Sequence, residues 1–566
     1  MAYKHGAYGQ IQAVGTRVSN SSQGVIVYIG TAPVNQIVGG ANNVNVPILV
    51  NNIAEARKYF GYSDDWASFT LCEAMHVHLE QKGIGPIVLI NVLDPEKHFK
   101  TTDKSVSKTP SDGAFTITNA ENIDASSLTV VVTSTQTPKV EGTDYTVAYD
   151  ETTHTITVTE KTAGSLGTAP LTVGYTETVV SSVSKTPSNG KITIANASEI
   201  VLDSVEVATK TKGTDYDVLY NIEKKQIIIS ELSSGALGTS SLTITYKSVD
   251  GANVSDTDVI GTTDGLGKNT GIYAVKNVYQ VTKNIPAYMA APGFSSLPTV
   301  HAAMYENSQK INGHWDAYMF VDMPITSGGT ALDLSTAKTW KDTNGYNKPN
   351  ETVFFPLAKG TDENIYHLSV LAAANFQELL LENNGIPYMT ASNTACPVIA
   401  NLYLGEENVG RVFDDEIINK YLNKNGIASA AYVGGRWAIW GCHSADYDQE
   451  AGDNINVAET NRMMLFYISN DFQHRRTYDV DKPMTANDLK QIISEEQTRI
   501  DALVKIGALT YGEVVLNADS QAQSDIMQGD FSFLFNVTTT PLAKSLTAVV
   551  NWTDEGFVTY FESFAA

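Results

Sequence analysis

The chain has 566 residues, 42% hydrophobic and 9% aromatic, with a formal net charge of −24. That length predicts several domains, each with its own core, and the apolar content excludes wholesale disorder. The acidic balance argues against nucleic acid and anionic membrane surfaces, because binding either needs clustered Lys and Arg.

The opening "MAYKHGAYGQIQAVG" lacks the apolar core of a signal peptide, and no stretch approaches the roughly 20 apolar residues of a spanning helix. Cys72, Cys396 and Cys442 are too few for a disulfide framework, which suits a reducing compartment. The expectation is a soluble protein made in a cytoplasm.

"GVIVYIG" (24–30) has the continuous apolar run of a buried strand, and "VPILV" (46–50) follows it. "DDWASFTLCEAMHVHLEQKG" then predicts a helix capped by Asp64 or Asp65, with Trp66, Phe69, Cys72 and Leu79 at helical spacing. The strand "IGPIVLINVL" (84–93) completes a β–α–β order, hence a mixed α/β layer.

A duplication comes next. "VSKTPSDGAFTITNA" from Val106 recurs as "VSKTPSNGKITIANA" from Val183, "GTDYTV" from Gly142 as "GTDYDV" from Gly213, and "GSLGTAPLTVGY" from Gly164 as "GALGTSSLTITY" from Gly235. Short alternating Val/Ile/Thr runs separated by Asn-Gly, Asp-Gly and Gly-Thr-Asp turns predict two tandem β-sandwich modules, 101–180 and 181–255. No Trp, Met, Cys or Arg lies within 101–250, and so sharp a composition break marks an insertion.

Beyond it, "GIYAVKNVYQV" reads as helical, "IPAYMAAPG" as a strand, "SSLPTVHAAMYENSQKI" as a helix and "DAYMFVDMP" as a strand. Residues 457–476 predict a long helix. A second starts at the N-cap Thr485 with Asp488 three residues on, a capping-box variant, and stops at Gly507. Its apolar stripe is Leu489, Ile492, Ile493, Ile500, Leu503 and Val504. Strands near 510–516 and 531–538 follow. At the end, Leu546, Ala548, Val550 and Trp552 alternate with Thr547, Val549, Asn551 and Thr553, and Phe557–Phe561 follows a Gly-containing turn. That pattern predicts a terminal β-hairpin whose apolar strands need a covering sheet, in this chain or in a neighbour.

Chemistry is sparse. "DGLGKNTG" (264–271) lacks the spacing of a phosphate loop and reads as a turn. Cys72 and His76 are four apart on one helix, but His78 points elsewhere and no fourth metal ligand is evident. Cys442 and His443 are adjacent and diverge. "SADYDQEAGDN" (444–454) lacks calcium-loop spacing. Asp414-Asp415-Glu416 precede "IINKYLNKNG" and read as the favoured N-terminus of a short helix. No nucleophile–base pair or nucleotide cradle can be assembled, so neither an enzyme nor a cofactor or metal site is expected.

The ordered set "YKHGAYGQIQ", "YIGTAPVN" (28–35), "IPAYMAAPGFSSLPTVHAAM" (285–304), "GRWAIWGCHS" (435–444) and the run from "GALTYGEVVLNADSQAQSDIMQGDFSFLFNV" to the terminus resembles contractile tail sheath proteins of myophages and phage-tail-like bacteriocins. The likeness covers roughly 1–100 and 260–566.

It implies an α+β, mixed α/β multidomain fold with an inserted pair of tandem Ig-like modules. The divisions are a strand arm at 1–23, sheath domain at 24–100 and 256–395, a tube-facing α+β domain at 396–544 and a strand arm at 545–566. Such subunits stack as hexameric rings around a tail tube, lend terminal strands to their neighbours and contract to drive the tube through an envelope. By that resemblance Tyr8, Ile11, Leu546, Val550, Trp552, Phe557 and Phe561 belong to donated arms, and Lys490, Glu496, Arg499 and Lys505 are exposed candidates for the tube contact. The implied partners are other copies of the chain, the tube protein, and baseplate and tail terminator proteins, with no nucleic acid and no membrane. The implied location is a virion tail or bacteriocin particle assembled in a bacterial cytoplasm. A surface adhesin or an enzyme carrying carbohydrate-binding modules is the alternative that the duplicated modules suggest.

Overall fold

The computed structural model describes residues 24–403, 406–407, 414–448, 455, 457–517, 527–557 and 560. The chain divides into two compact units, Met1–Tyr478 and Asp479–Ala566. The expected arm residues Tyr8, Ile11 and Phe561 lie outside the described residues.

The first unit is built on an eight-stranded sheet. Its strands are β1 (Gly24–Gly30), β2 (Ile48–Val50), β3 (Ile87–Asn91), β4 (Ile285–Ala290), β5 (Tyr318–Asp322), β6 (Glu351–Phe354), β7 (Ile427–Val433) and β8 (Arg436–Trp440). They lie in the order β2-β3-β1-β4-β5-β6-β7-β8, parallel from β3 to β7 and antiparallel at each edge. Parallel strands are covered on both faces and so carry continuous rather than alternating apolar runs. Accordingly every residue of β3, β5 and β6 is buried. Helix α1 (Pro298–Ser308) has proline at its first turn, where the missing N–H costs nothing. Helix α2 (Leu368–Glu382) buries its first ten residues. Helix α3 (Glu459–Arg476) ends in His474, Arg475 and Arg476, where the helix dipole favours cations.

The helix expected from Asp64 or Asp65 begins later. Its first residue is Leu71, Thr70 is its N-cap, and from Met75 to Gln81 it is wound as a π-helix. The reason lies in Thr31, which follows β1. The Thr31 N–H donates to Thr70 Oγ1 at 3.2 Å and the Thr70 N–H donates to Thr31 Oγ1 at 3.0 Å. Thr70 has helical backbone angles, φ −63° and ψ −27°, but this reciprocal clamp takes its N–H, which a helix running on from Asp65 would give to an earlier carbonyl. The clamp also needs Gly30, because a Cβ there would sit 2.3 Å from Thr70 Oγ1.

The duplicated segment forms two small sandwiches. In the first, a sheet of 101–108, 171–178, 129–132 and 137–139 packs against one of 114–117, 155–160 and 145–150. Phe115, Ile117, Tyr145, Ile156 and Val158 from one sheet share a core with Val130, Leu171 and Val173 from the other. In the second, 180–185, 242–247 and 206–207 face 191–195, 226–231 and 216–221, and Ile192, Ile194, Tyr216, Ile227 and Ile229 meet Val207 and Ile244. The Asp-Gly and Asn-Gly turns are equivalent: Asp112 and Gly113 have φ of 52° and 74°, Asn189 and Gly190 of 51° and 69°. Both residues of each turn are left-handed, the geometry these dipeptides favour.

In the second unit, helix α4 (Ala486–Lys505) has the expected capping box. Asp488 N–H donates to Thr485 Oγ1 at 3.3 Å, and Thr485 N–H donates to Asp488 Oδ2 at 2.7 Å. A ribbon of Leu509–Leu516 and Phe533–Thr539 follows, with Val514 opposite Phe535. Among the described residues the expected terminal hairpin is not formed. Residues 541–553 belong to no strand, and Gly556 and Phe557 begin a helical turn in which the Phe557 N–H donates to the Asp554 carbonyl at 2.9 Å. A strand needs a ladder partner for its backbone groups, and alternation in sequence does not supply one.

Candidate functional site

The second unit carries the feature that stands out. Along the segment after the ribbon, Leu546, Val549, Val550 and Trp552 are 90%, 80%, 90% and 80% exposed. Phe557 is 58% exposed, its ring 6.5 Å from that of Trp552. Exposed apolar side chains are ordinary when scattered, whereas so many within seven residues form a concentrated apolar stretch. Leu546, Ala548, Val550 and Trp552 fall on one side of any strand this segment adopts.

The ribbon is held by α4 through its apolar stripe. Ile492, Ile500 and Leu503 are buried, and a Cβ at Gly512 would lie 2.0 Å from Ile500 Cγ2, so the helix sits directly on the backbone of Leu509–Leu516. Beside this contact Gln497 makes two bonds to the strand. Its Nε2 donates to the Gly512 carbonyl at 3.0 Å, and its Oε1 accepts from the Val514 N–H at 2.8 Å. In a strand the N–H and C=O groups of residues two apart point the same way. Gln497 therefore occupies the strand's backbone groups at Gly512 and Val514 as a short stretch of neighbouring strand would.

Of the four helix residues expected at the surface, Lys490, Arg499 and Lys505 are exposed, but Glu496 is buried at 1% exposure. Its spacing explains this: it lies four residues after Ile492 and four before Ile500, both buried. Gln497 was missed because glutamine on a helix ordinarily faces water. The available signal was its position between Ile493 and Ile500 on the same apolar stripe.

The candidate chemical groups have structural partners. His78 is fully buried, with the Tyr28 hydroxyl 2.6 Å from Nε2 and Gln377 Oε1 2.6 Å from Nδ1, so both ring nitrogens are engaged. Burial pushes its pKa down to about 3, and pushes the Cys72 thiol up to about 12. His443 Nδ1 lies 2.5 Å from the Val457 carbonyl, and its ring stacks on Tyr447 at 3.7 Å. Asp264 accepts N–H bonds from Leu266 and Lys268, closing a turn. Asp414 caps its helix by accepting from the Ile417 N–H at 2.9 Å. Among the described residues no group of three or more His, Cys, Asp or Glu is placed to hold a metal, and no helix is long and apolar enough to cross a membrane.

No protein-family model and no curated protein matches the chain. Among solved structures it is similar to sheath tail proteins. That of Desulfitobacterium hafniense is 9% identical, with 94% of this chain and 100% of that one covered at a TM-score of 0.41. That of Listeria innocua is 9% identical, with 92% and 95% covered at a TM-score of 0.39. The sheath complex of an extracellular contractile injection system in its contracted state is 13% identical, with 51% and 76% covered at 0.41. At such scores and identities these likenesses carry no argument about what the chain does.

Proposed function

We propose that the chain is the structural subunit of a contractile tail sheath, and that it polymerises around a tail tube by lending its C-terminal segment to the sheet of a neighbouring copy. The observation that supports this is the segment itself: residues 541–553 lie in no strand, and Leu546, Val550 and Trp552 are 80–90% exposed. Strand addition supplies the missing ladder and covers the apolar side in one step. Each of these side chains gains about 1.5–3 kcal/mol when covered.

A contact made between different patches of successive copies closes into a ring or propagates as an open helix. Contraction is then a rigid-body rearrangement of subunits about their strand connections. The ordered sequence motifs resembling sheath proteins give the reading its particular form, including the tube, baseplate and terminator partners and the Ig-like character of the two modules.

The test is removal of residues 545–566, with electron microscopy of full-length and truncated chain at rising concentration and in the presence of tube protein. Full-length chain should form tubes or stacked rings. The truncated chain should stay a folded monomer with an unchanged far-ultraviolet spectrum. Normal tubes from the truncated chain would overturn the proposal.

A further inference from the structure

The two duplicated modules are attached to the first unit very differently. The second is bound to the body through many contacts. Asn35 Nδ2 donates to the carbonyls of Ser198 at 2.9 Å and Ile200 at 3.0 Å, and Gln36 Nε2 donates to Ser198 at 3.1 Å. The Gly39 N–H donates to Asp203 Oδ2 at 2.7 Å, and Lys225 Nζ lies 2.6 Å from Asp64 Oδ2. Val201 is buried in the body's own core, and Ile222 packs against both the body's core and that of its module.

The first module has no counterpart to this. Its core residues form a cluster that contains nothing from outside the module. Its ion pair, Lys104 with Glu177, is internal. Among the described residues the hydrogen bonds that fix it lie at its stem: the Val179 N–H donates to the Lys100 carbonyl at 2.8 Å, the Lys100 N–H donates to the Ser248 carbonyl at 2.7 Å, and the Lys100 ammonium pairs with the Glu199 carboxylate. Both ends of the module thus meet at one point.

The sequences of the two copies explain the difference. At the positions equivalent to Ser198, Val201, Ile222 and Lys225, the first module has Glu121, Asp124, Glu151 and His154. The apolar residues that seat the second module on the body are carboxylates in the first, and a carboxylate buried without a partner is strongly disfavoured. The face that docks the second module is solvated in the first, where Glu121, Asp124, Glu151 and His154 are all exposed.

We infer that the second module is a fixed part of the body and serves as a spacer, while the first, residues 101–178, is an outboard unit that folds independently on a single stem. Any role of the first module is then exercised without transmitting strain to the sheet of β1–β8. The inference stands on the attachment of the modules and does not require that the chain assemble into a sheath.

Tryptophan fluorescence tests it in the full chain, because all six tryptophans lie outside both modules. Ile156 and Ile227 are equivalent and both fully buried in their modules, so Ile156→Ala and Ile227→Ala are matched perturbations. In urea, Ile227→Ala should lower the midpoint of the fluorescence transition. Ile156→Ala should leave that midpoint at the wild-type value while moving a far-ultraviolet circular-dichroism phase to lower urea. A first module already unfolded by Ile156→Ala, with the fluorescence transition unmoved, is the same result in stronger form. A shift of the fluorescence midpoint by Ile156→Ala, or none by the milder Ile229→Val and Ile227→Ala together, overturns the inference.

Discussion

Gln497 is the residue whose removal most directly tests how the C-terminal ribbon is organised. Gln497→Leu keeps an apolar stem of similar length on the α4 stripe and deletes both bonds to the strand, at Gly512 and Val514. An intramolecular hydrogen bond contributes about 0.5–1.5 kcal/mol net, so the pair should be worth about 1–3 kcal/mol to local stability. Through the factor of ten per 1.4 kcal/mol, that is roughly 5- to 150-fold faster exchange of the Val514 amide when opening is local.

Hydrogen exchange read by mass spectrometry on peptides spanning 509–516 of the full chain measures this directly. Gln497→Glu separates the two bonds. A carboxylate still accepts from the Val514 N–H but cannot donate to the Gly512 carbonyl, and it lies four residues from Asp501, a like-charge spacing. Val514 should therefore keep most of its protection in the Glu variant and lose it in the Leu variant. Unchanged exchange at Val514 in a folded Gln497→Leu chain would refute the idea that this side chain stands in for a strand.

Two other outcomes follow from the geometry. His367 Nδ1 lies 2.6 Å from Glu73 Oε2, and although burial, the largest single influence, opposes its charge, Glu73's charge and hydrogen bond together with Asp322 outweigh it and carry the pKa up to about 9. A folded value above the ordinary 6.5 means the contribution, about 3 kcal/mol, is fully present below pH 6.5 and lost as pH rises through 9, so the urea midpoint should fall across that window and His367→Gln should flatten the fall. At the surface of α4, reversing the charges of Lys490, Arg499 and Lys505 together should weaken co-sedimentation with tube protein, and retention at the wild-type level would remove these residues from the tube contact.

The parts of the fold set by local rules were readable from sequence. Thr485 with Asp488 announced a helix start because both halves of a capping box are side-chain groups at fixed spacing. Likewise "GVIVYIG" announced a strand buried on both faces, and Asp112-Gly113 and Asn189-Gly190 announced hairpin turns. What escaped depended on partners distant in sequence. The helix start at Leu71 is set by Thr31, 39 residues from Thr70. Glu496 was assigned to the surface because its charge was weighed above its place on the stripe. The pair of hydrogen bonds made by Gln497 depends on where the ribbon folds back, and no helical pattern encodes that. The terminal strands were recognisable as strands in pattern, but a strand's existence depends on a second strand, and among the described residues this segment forms none.

An exposed alternating segment on an acidic chain invites indiscriminate pairing, and the composition of this one restricts it. Strand side chains have period two, so only registers an even number of residues apart place the face of Leu546, Ala548, Val550 and Trp552 against a receiving core. A slip by one residue would bury Thr547, Asn551 and Thr553 instead, leaving their hydroxyl and amide groups to be desolvated. Asp554 and Glu555 then end the run with two like charges that a sheet interior rejects. In the ribbon Gln497 already fills the backbone groups at Gly512 and Val514. A strand arriving there must displace a side chain held by two hydrogen bonds, which penalises casual pairing at that edge. Under the strand donation proposed above, the alternation of the donated segment would limit its register and Gln497 would restrict pairing at the ribbon, and a polymer adding one copy at a time in a fixed geometry would need both.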